Sequence, residues 1–413
     1  MTIFSIRNSL KNSAWLISEK IFRFLFGFLI STLIIKHLGP TDFGYFSYSL
    51  TISSVFGLLS KFGLDIILVK ELSEDNANES KLLSNTLFLR IFISLLSILL
   101  VIPALYLFNE NNLIITLISI FLIANIFQSF ELFEAYFQSK LKNKISSIVA
   151  VCILIISAFL RIYFLYLELS VVYFALALLF EIFFLFIVLL IYVKRQNIVF
   201  EFPSITICKE LISKSYPLLI SSIFAFIYLK IDTIMLRFMT DIESVGIYSS
   251  AVKISEMIYL FPILISNSFF PLLVKSIKNI DNYKKLSFNL LLINFSICFT
   301  FILGLTFSAS WLVDLIYNPL YANAALVIQI HVWSILFITI NSVCSKLIII
   351  KNKQFVFIKI SIIGALLNII LNAFLISYDG IYGAAYSTLI SYFVVSSLIY
   401  YYFKKLMLDF KKI

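Results

Sequence analysis

Charge is scarce in this sequence. Only 13% of its 413 residues are Asp, Glu, Lys or Arg, against about a quarter in an average soluble domain. Long hydrophilic stretches are missing as well, which excludes a separate soluble catalytic or nucleotide-binding domain. No GxxxxGK[ST] phosphate loop occurs, so any energy source is expected to be a gradient or mass action rather than nucleotide hydrolysis. Cysteine is confined to the isolated Cys152, Cys208, Cys298 and Cys344, whose spacing fits neither a disulfide framework nor a metal site. These four read as apolar filler, and no cofactor, metal or catalytic group is expected.

What fills the space is apolar. Hydrophobic residues make up 61% of the chain and the mean hydropathy is +1.03. A helix needs roughly 20 apolar residues to span a bilayer, and runs of that size recur about twelve times. We place the spans at residues 14–35, 43–69, 82–108, 113–138, 145–167 and 171–193, then at 216–239, 246–274, 286–311, 324–350, 355–376 and 380–403. The expected fold is therefore an all-α integral membrane protein of about twelve transmembrane helices. The polar link 194–214, with Pro203, divides it into two six-helix lobes, 1–202 and 203–413.

A net charge of +10 is by itself compatible with a nucleic-acid partner, but the cations sit in alternate connections instead of clustering on one module. Lys70 and Lys81 form one basic group, Lys140, Lys142 and Lys144 a second, and Lys194, Arg195, Lys209 and Lys214 a third. Lys275, Lys278, Lys284 and Lys285 follow, then Lys351 and Lys353, then Lys404, Lys405, Lys411 and Lys412. The intervening connections are short and neutral or acidic; Lys36 is the exception. By the positive-inside rule both termini and the basic loops belong in the cytoplasm, and no nucleic-acid partner is expected.

The halves echo each other. LGPTDFGYFSYS (38–49) leads into the second span and MTDIESVGIYSS (239–250) into the eighth, and aligning Gly44 with Gly246 also aligns Phe46 with Tyr248 and Ser47 with Ser249. Both turns fall on one side, so the repeats are parallel, and transporters often hold their site between such repeats.

The few charges inside the spans are the functional candidates, because charge at membrane depth is costly and usually faces a protein interior or a watery path. Lys230 and Arg237 project within about 20° of each other on one helix, with Asp232 nearly opposite. On the next, Ser249, Lys253, Glu256 and Asn267 share a sector of about 60°. Arg23 and Arg90 lie roughly 12 Å inside one boundary and Lys230 and Lys253 a similar depth from the other. Asp232 and Glu256 are expected to neutralise one of these lysines or to carry a coupling ion. Glu131 and Glu134 either line the inner gate or end a helix near water. Lys20, Lys61, Arg161 and Arg237 lie close enough to a boundary to snorkel or to form structural ion pairs, and Glu181 stands alone in its span. His331 reads as a hydrogen-bonded core histidine rather than a proton relay.

Three stretches carry a family resemblance. Residues 36–73, KHLGPTDFGYFSYSLTISSVFGLLSKFGLDIILVKELS, resemble the N-terminal signature of Wzx-type O-antigen and polysaccharide flippases. Residues 231–256 are similar to that family's second-half signature, and YDGIYGAAYSTLISYF (378–393) to the segment before its last helix. The resemblance spans nearly the whole chain and places it in the multidrug, oligosaccharidyl-lipid and polysaccharide exporter superfamily. It implies a MATE-like, two-lobed fold around a central cavity open alternately to each side. It also implies flipping of undecaprenyl-diphosphate-linked oligosaccharide, of O-antigen, lipopolysaccharide or capsule type, across the bacterial cytoplasmic membrane under an ion gradient. The substrate-binding cations implied are Arg23, Lys230 and Lys253, with Arg237 and Arg90 as further cavity cations. Partners would be the lipid-linked substrate, membrane lipids, and a polysaccharide polymerase with its chain-length machinery.

Two rivals stand beside this reading. A drug or small-molecule antiporter of the same fold would have a cavity dominated by carboxylates. A membrane polymerase or glycosyltransferase would carry catalytic Arg, His or Asp on a sizeable outer loop, whereas the outer loops here are short.

Overall fold

The computed structural model describes residues 3–74, 78–277, 279–353 and 355–409, with side chains at 15 and from 18 to 408 within those ranges. Lys278, Lys411 and Lys412 lie outside the described residues. Thirteen α-helices follow one another, and among the described residues there is no strand. They are α1 (Ile3–Lys61), α2 (Leu64–Leu72), α3 (Glu79–Leu107), α4 (Asn112–Phe127), α5 (Glu131–Ser139), α6 (Asn143–Tyr166) and α7 (Val171–Lys194). Then come α8 (Ile205–Met239), α9 (Ile242–Ser276), α10 (Ile280–Ile316), α11 (Ala324–His331), α12 (Ser334–Ile350) and α13 (Phe355–Asp409).

Ten helical stretches among the described residues are long and apolar enough to cross a membrane. Two of them, Ser18–Leu72 with 55 residues and Phe355–Leu408 with 54, would each be about 80 Å long if straight, more than twice the hydrocarbon thickness. Neither is straight. α1 is broken at Gly39 and α13 at Asp379–Gly380, so each holds two crossing-length helices, and the expected twelve are recovered. Gly39 adopts φ 71°, ψ 172°. The positive φ is cheap only for glycine, and the extended ψ is what the following Pro40 demands. Pro40 then opens the next helical stretch, where its missing N–H is no loss.

Helix boundaries differ from the apolar runs where a helix continues into polar sequence. α1 begins at Ile3, not at residue 14, and α8 at Ile205, not at 216. The early part of α8 is amphipathic: Cys208 and Leu211 are buried against Leu64 and Leu89, while Lys209 and Glu210 are exposed. Apolar length measures the membrane crossing, not the whole helix. The second expected span also stops early, at Lys61, because Phe62 and Gly63 take positive φ (51° and 69°) and α2 starts afresh. Side-chain caps close several turns. Asn78 accepts from the Lys81 N–H, Asn111 from Leu113, and Asp241 from Ser244 at 2.7 Å, each cap contributing about 1 kcal/mol.

The chain divides into two compact units, residues 1–38 with 45–223 and residues 39–44 with 224–413. The division falls inside α8, at 223/224 and not at 202/203, because the first turns of α8 belong to the α2–α3 cluster just described. In the first unit Leu68, Leu83, Phe133, Leu185 and Leu189 form the main apolar core. In the second, Leu273, Tyr283, Leu290, Val343 and Leu347 do so.

The second unit contains both glycines that align between the repeats. A Cβ on Gly44 would lie 1.9 Å from the Ile242 carbonyl oxygen, and one on Gly246 would lie 1.8 Å from the Pro40 carbonyl oxygen. The contact is reciprocal: each glycine meets the carbonyl four residues before the other. Two backbones touch here with no room for a side chain. Gly246→Ala should therefore destabilise the detergent-solubilised full-length protein by about 1–3 kcal/mol, since backbone must shift. Gly304→Ala, whose Cβ meets nothing within 4 Å, should gain about 0.5–1 kcal/mol from helix propensity. Thermal unfolding that moved equally for both would refute the close-contact reading.

Candidate functional site

In the first unit a cavity of about 410 Å³ opens between α1, α4, α5, α6 and α7. Its charged lining is Arg23, Glu131, Glu134, Arg161 and Glu181, with Asn125 and Gln128 between them. A second cleft of about 510 Å³ shares Arg23, Glu131 and Glu134 and adds Lys20 and Asp65. Together the two carry three cations and four carboxylates. Glu131 and Glu134 thus face open space instead of merely ending a helix. The 3-10 turn Gln128–Phe130 separates α4 from α5 and re-aims this polar stripe.

Several charges in this unit are paired. Arg161 Nη2 donates to Glu181 Oε2 at 2.7 Å, with both side chains largely buried (12% and 14% exposed). Lys61 Nζ meets Glu131 Oε1 at 2.8 Å, and Arg23 Nη1 meets Glu19 Oε1 at 3.2 Å. Arg161 and Lys61 therefore do not simply snorkel, and Glu181 is not alone. Arg23 and Glu19 are four residues apart on one helix and share its face, whereas the partners of Arg161 and Lys61 lie on other helices and spacing alone does not reveal them.

Arg90 is placed differently from expectation. It is fully buried, lines neither cavity, and donates through Nη2 to Asp65 at 2.5 Å. Its Nε and Nη1 have no hydrogen-bond partner. The reason is α2, which the break at Gly63 sets as a separate helix bearing Asp65. Depth along α3 was readable, but the facing element was not.

The second unit holds the other expected group. Lys230 Nζ donates to Glu256 Oε1 at 2.8 Å, each side chain about one-third exposed. Solvent at that exposure screens the pair, so its contribution to stability is modest. Asp232 points elsewhere, as the helical spacing requires, and is buried. It accepts from the Tyr248 hydroxyl, from Thr388 Oγ1 at 3.3 Å and from the Thr233 N–H at 2.7 Å. Lys253 and Arg237 are half-buried. The alternatives for the two carboxylates separate: Glu256 neutralises Lys230, whereas Asp232 is held by hydroxyl and amide donors. Nearby, Tyr259 O–H contacts Ser334 Oγ at 2.7 Å and His331 Nδ1 at 3.3 Å. His331 is thus a buried, hydrogen-bonded histidine.

Tyr248 and Thr388 were not singled out by composition or charge, although each lies inside a stretch already noted, GIYSS and YGAAYSTLIS. Hydroxyls repeated within otherwise apolar helices were the available signal.

Against this geometry, a family model described as "Polysaccharide biosynthesis protein" matches residues 9–277. The chain belongs to that family. The match covers more than half the chain and includes every charged pair described above. Solved structures show the same fold. An inward-facing multidrug resistance MATE family transporter of the MOP superfamily superposes with a TM-score of 0.78 at 14% identity, covering 93% of this chain and 94% of its own. The lipid II flippase MurJ, in an inward closed conformation, superposes with a TM-score of 0.77 at 16% identity, covering 96% and 89%. The uncharacterised membrane protein MJ1068 of Methanocaldococcus jannaschii is 33% identical over 96 residues, which is 23% of this chain and 19% of that protein's length. The expected MATE-like, all-α membrane fold is what the polysaccharide-family chain adopts.

The buried Arg161–Glu181 pair gives a direct test of site architecture. Removing one partner of a buried pair strands the other and costs about 3–5 kcal/mol. Arg161→Ala should lower the unfolding midpoint sharply, and adding Glu181→Leu to it should recover part of the loss. A single substitution that left the midpoint unchanged would show that the pair is not closed in the membrane-embedded protein.

Proposed function

We propose that this protein flips undecaprenyl-diphosphate-linked oligosaccharide repeat units, of O-antigen or capsule type, from the cytoplasmic to the outer leaflet of a bacterial cytoplasmic membrane. Both termini and the basic loops lie in the cytoplasm in this reading, as the alternation of lysine-rich and neutral connections supports. The observation that carries it is the set of intramembrane cations within the family-matched helices. Arg23 lines an open cavity, and Lys230 is half-buried in reach of solvent. A diphosphate carries at least two negative charges that hydrocarbon rejects, and cations on the path lower that barrier. In the first unit Arg23, and in the second Lys230, Lys253 and Arg237, serve as cations for the anionic head group; Arg90, locked onto Asp65, holds its helix in place. MurJ, a lipid II flippase, has the same fold, which supports the reading. A polysaccharide polymerase and its chain-length machinery would then receive the flipped product.

Coupling follows from the pairing. When an anion takes Lys230, Glu256 loses its counter-charge and needs another cation, which a proton or a metal ion from the gradient supplies. Asp232, ringed by Tyr248, Thr388 and Thr233, is the second carboxylate suited to that role. Glu131 and Glu134 offer the same chemistry in the first unit.

A second reading draws on the four carboxylates against three cations that line the first unit's cavities. Carboxylate-dominated lining suits an antiporter of cationic small molecules. One experiment separates the two. In a deletion strain complemented at matched expression, Lys253→Ala should abolish surface polysaccharide and Lys253→Arg should restore it. Full surface polysaccharide with Lys253→Ala removes that residue from the mechanism. A deletion that leaves the glycan intact while altering drug tolerance replaces flippase with antiporter.

A further inference from the structure

Arg23, Lys61, Arg90, Arg161 and Lys230 each meet a carboxylate, whereas Lys346 meets an amide and an aromatic ring. Lys346 lies in α12, one turn before its end at Ile350. Its Nζ donates to the Asn267 Oδ1 at 2.5 Å and stands 5.5 Å from the centroid of the Phe270 ring. Both partners are neutral. A ring face and an amide oxygen orient an ammonium without cancelling its charge.

Its position is built from the helices below it. Thr339, Ser342 and Lys346 follow one another at helical spacing on one face of α12. Across from them α9 presents Ser266, Asn267 and Phe270. Ser342 Oγ contacts Ser266 Oγ at 2.9 Å, and Asn294 Nδ2 of α10 donates to Ser266 at 3.1 Å. Ser266 and Asn294 are completely buried, whereas Asn267 and the next residue, Ser268, are exposed. A polar seam thus runs between α9, α10 and α12 and comes to the surface at Lys346. An exposed asparagine beside an uncompensated ammonium does not suit a face turned to hydrocarbon. A lysine so near a helix end could instead reach along its own helix to water, but here the ammonium folds across onto α9.

We infer that Lys346 and Asn267 form an anion-recognition site for the diphosphate of the lipid-linked substrate. This rests on the flippase reading above, and on the orientation proposed there the site lies in the cytoplasmic half of the membrane, where a substrate first enters. Lys230, Arg23 and Arg161 must each release a carboxylate before they can bind phosphate; Lys346 need only exchange one amide hydrogen bond. It is the cation poised for first contact.

The experiment is binding of undecaprenyl diphosphate to the purified full-length protein in phosphatidylcholine nanodiscs. Inorganic diphosphate and phosphatidylglycerol serve as separate arms, and thermal unfolding is followed in parallel. Wild type should bind undecaprenyl diphosphate, Lys346→Gln should bind at least tenfold more weakly, and Lys346→Arg should stay within about threefold, as expected where a charge-assisted hydrogen bond is lost or kept. Asn267→Asp is the decisive variant. It keeps the lysine but gives it a carboxylate, so binding should fall about tenfold while the unfolding midpoint holds or rises. A purely structural lysine would show no such loss. Binding by Lys346→Gln and Asn267→Asp within twofold of wild type overturns this inference and leaves the flippase reading standing. Failure of wild type to bind either diphosphate overturns the flippase reading itself. Equal binding of phosphatidylglycerol, lost in the same variants, makes this a bilayer-lipid site and overturns the assignment to substrate.

Discussion

A charge placed among apolar helices must find an opposite charge, a set of dipoles or water, and the cost of failing to do so is a few kcal/mol at least. The interior of this protein is arranged around that requirement. Arg161 meets Glu181, Lys61 meets Glu131, Arg23 meets Glu19, Arg90 meets Asp65 and Lys230 meets Glu256. Without a hydrophobic driving force between helices inside a bilayer, packing and such polar contacts decide which helices sit together. The pairs therefore serve as assembly instructions as well as candidate functional groups. Arg161–Glu181 ties α6 to α7, Lys61–Glu131 ties α1 to α5, and Lys230–Glu256 ties α8 to α9.

Helices were largely readable from the sequence because the bilayer turns a physical length into a countable run of apolar residues. Where that conversion fails, so did the boundaries. Residues 205–215 are helical but amphipathic, packed by Cys208 and Leu211, and no apolar count registers them. The break at Phe62–Gly63 depends on positive φ at two residues, only one of them glycine. Charges were readable as to which mattered and, on a single helix, which faced together. For Glu256 the sequence leaves open a structural pair with Lys230 or Lys253 and a coupling role, and the structure pairs it with Lys230 across two helices joined by a short turn. Lys61 and Glu131 are separated by intervening helices, and their meeting is a property of tertiary packing alone; Asp65 and Arg90 lie on the consecutive α2 and α3, whose relation depends on the break at Phe62–Gly63.

The internal repeat shows how sequence symmetry becomes a contact. Gly44 and Gly246 are equivalent positions of the sequence repeat. In the second unit each faces the carbonyl that precedes the other by four residues. A contact made by equivalent residues of two related segments is self-complementary, as in a two-fold dimer interface. One small residue at one motif position therefore satisfies both sides, and a larger residue on either side would be excluded for the same reason.

Pairing also constrains transport. A ligand shifts a conformational equilibrium only by the difference in its affinity for the two states, and a carrier that binds too tightly cannot release. Cations already matched with carboxylates bind an anion weakly, because each gain in contact is offset by a carboxylate left without its partner. That offset is useful mid-path, where release matters, and it links anion binding to uptake of a compensating cation. It is a handicap at entry, where capture matters. Lys346, held by an amide and an aromatic ring, lacks the offset. The contrast between Lys346, held by neutral partners, and the carboxylate-partnered cations is on this inference a division of labour between capturing an anionic head group and passing it on.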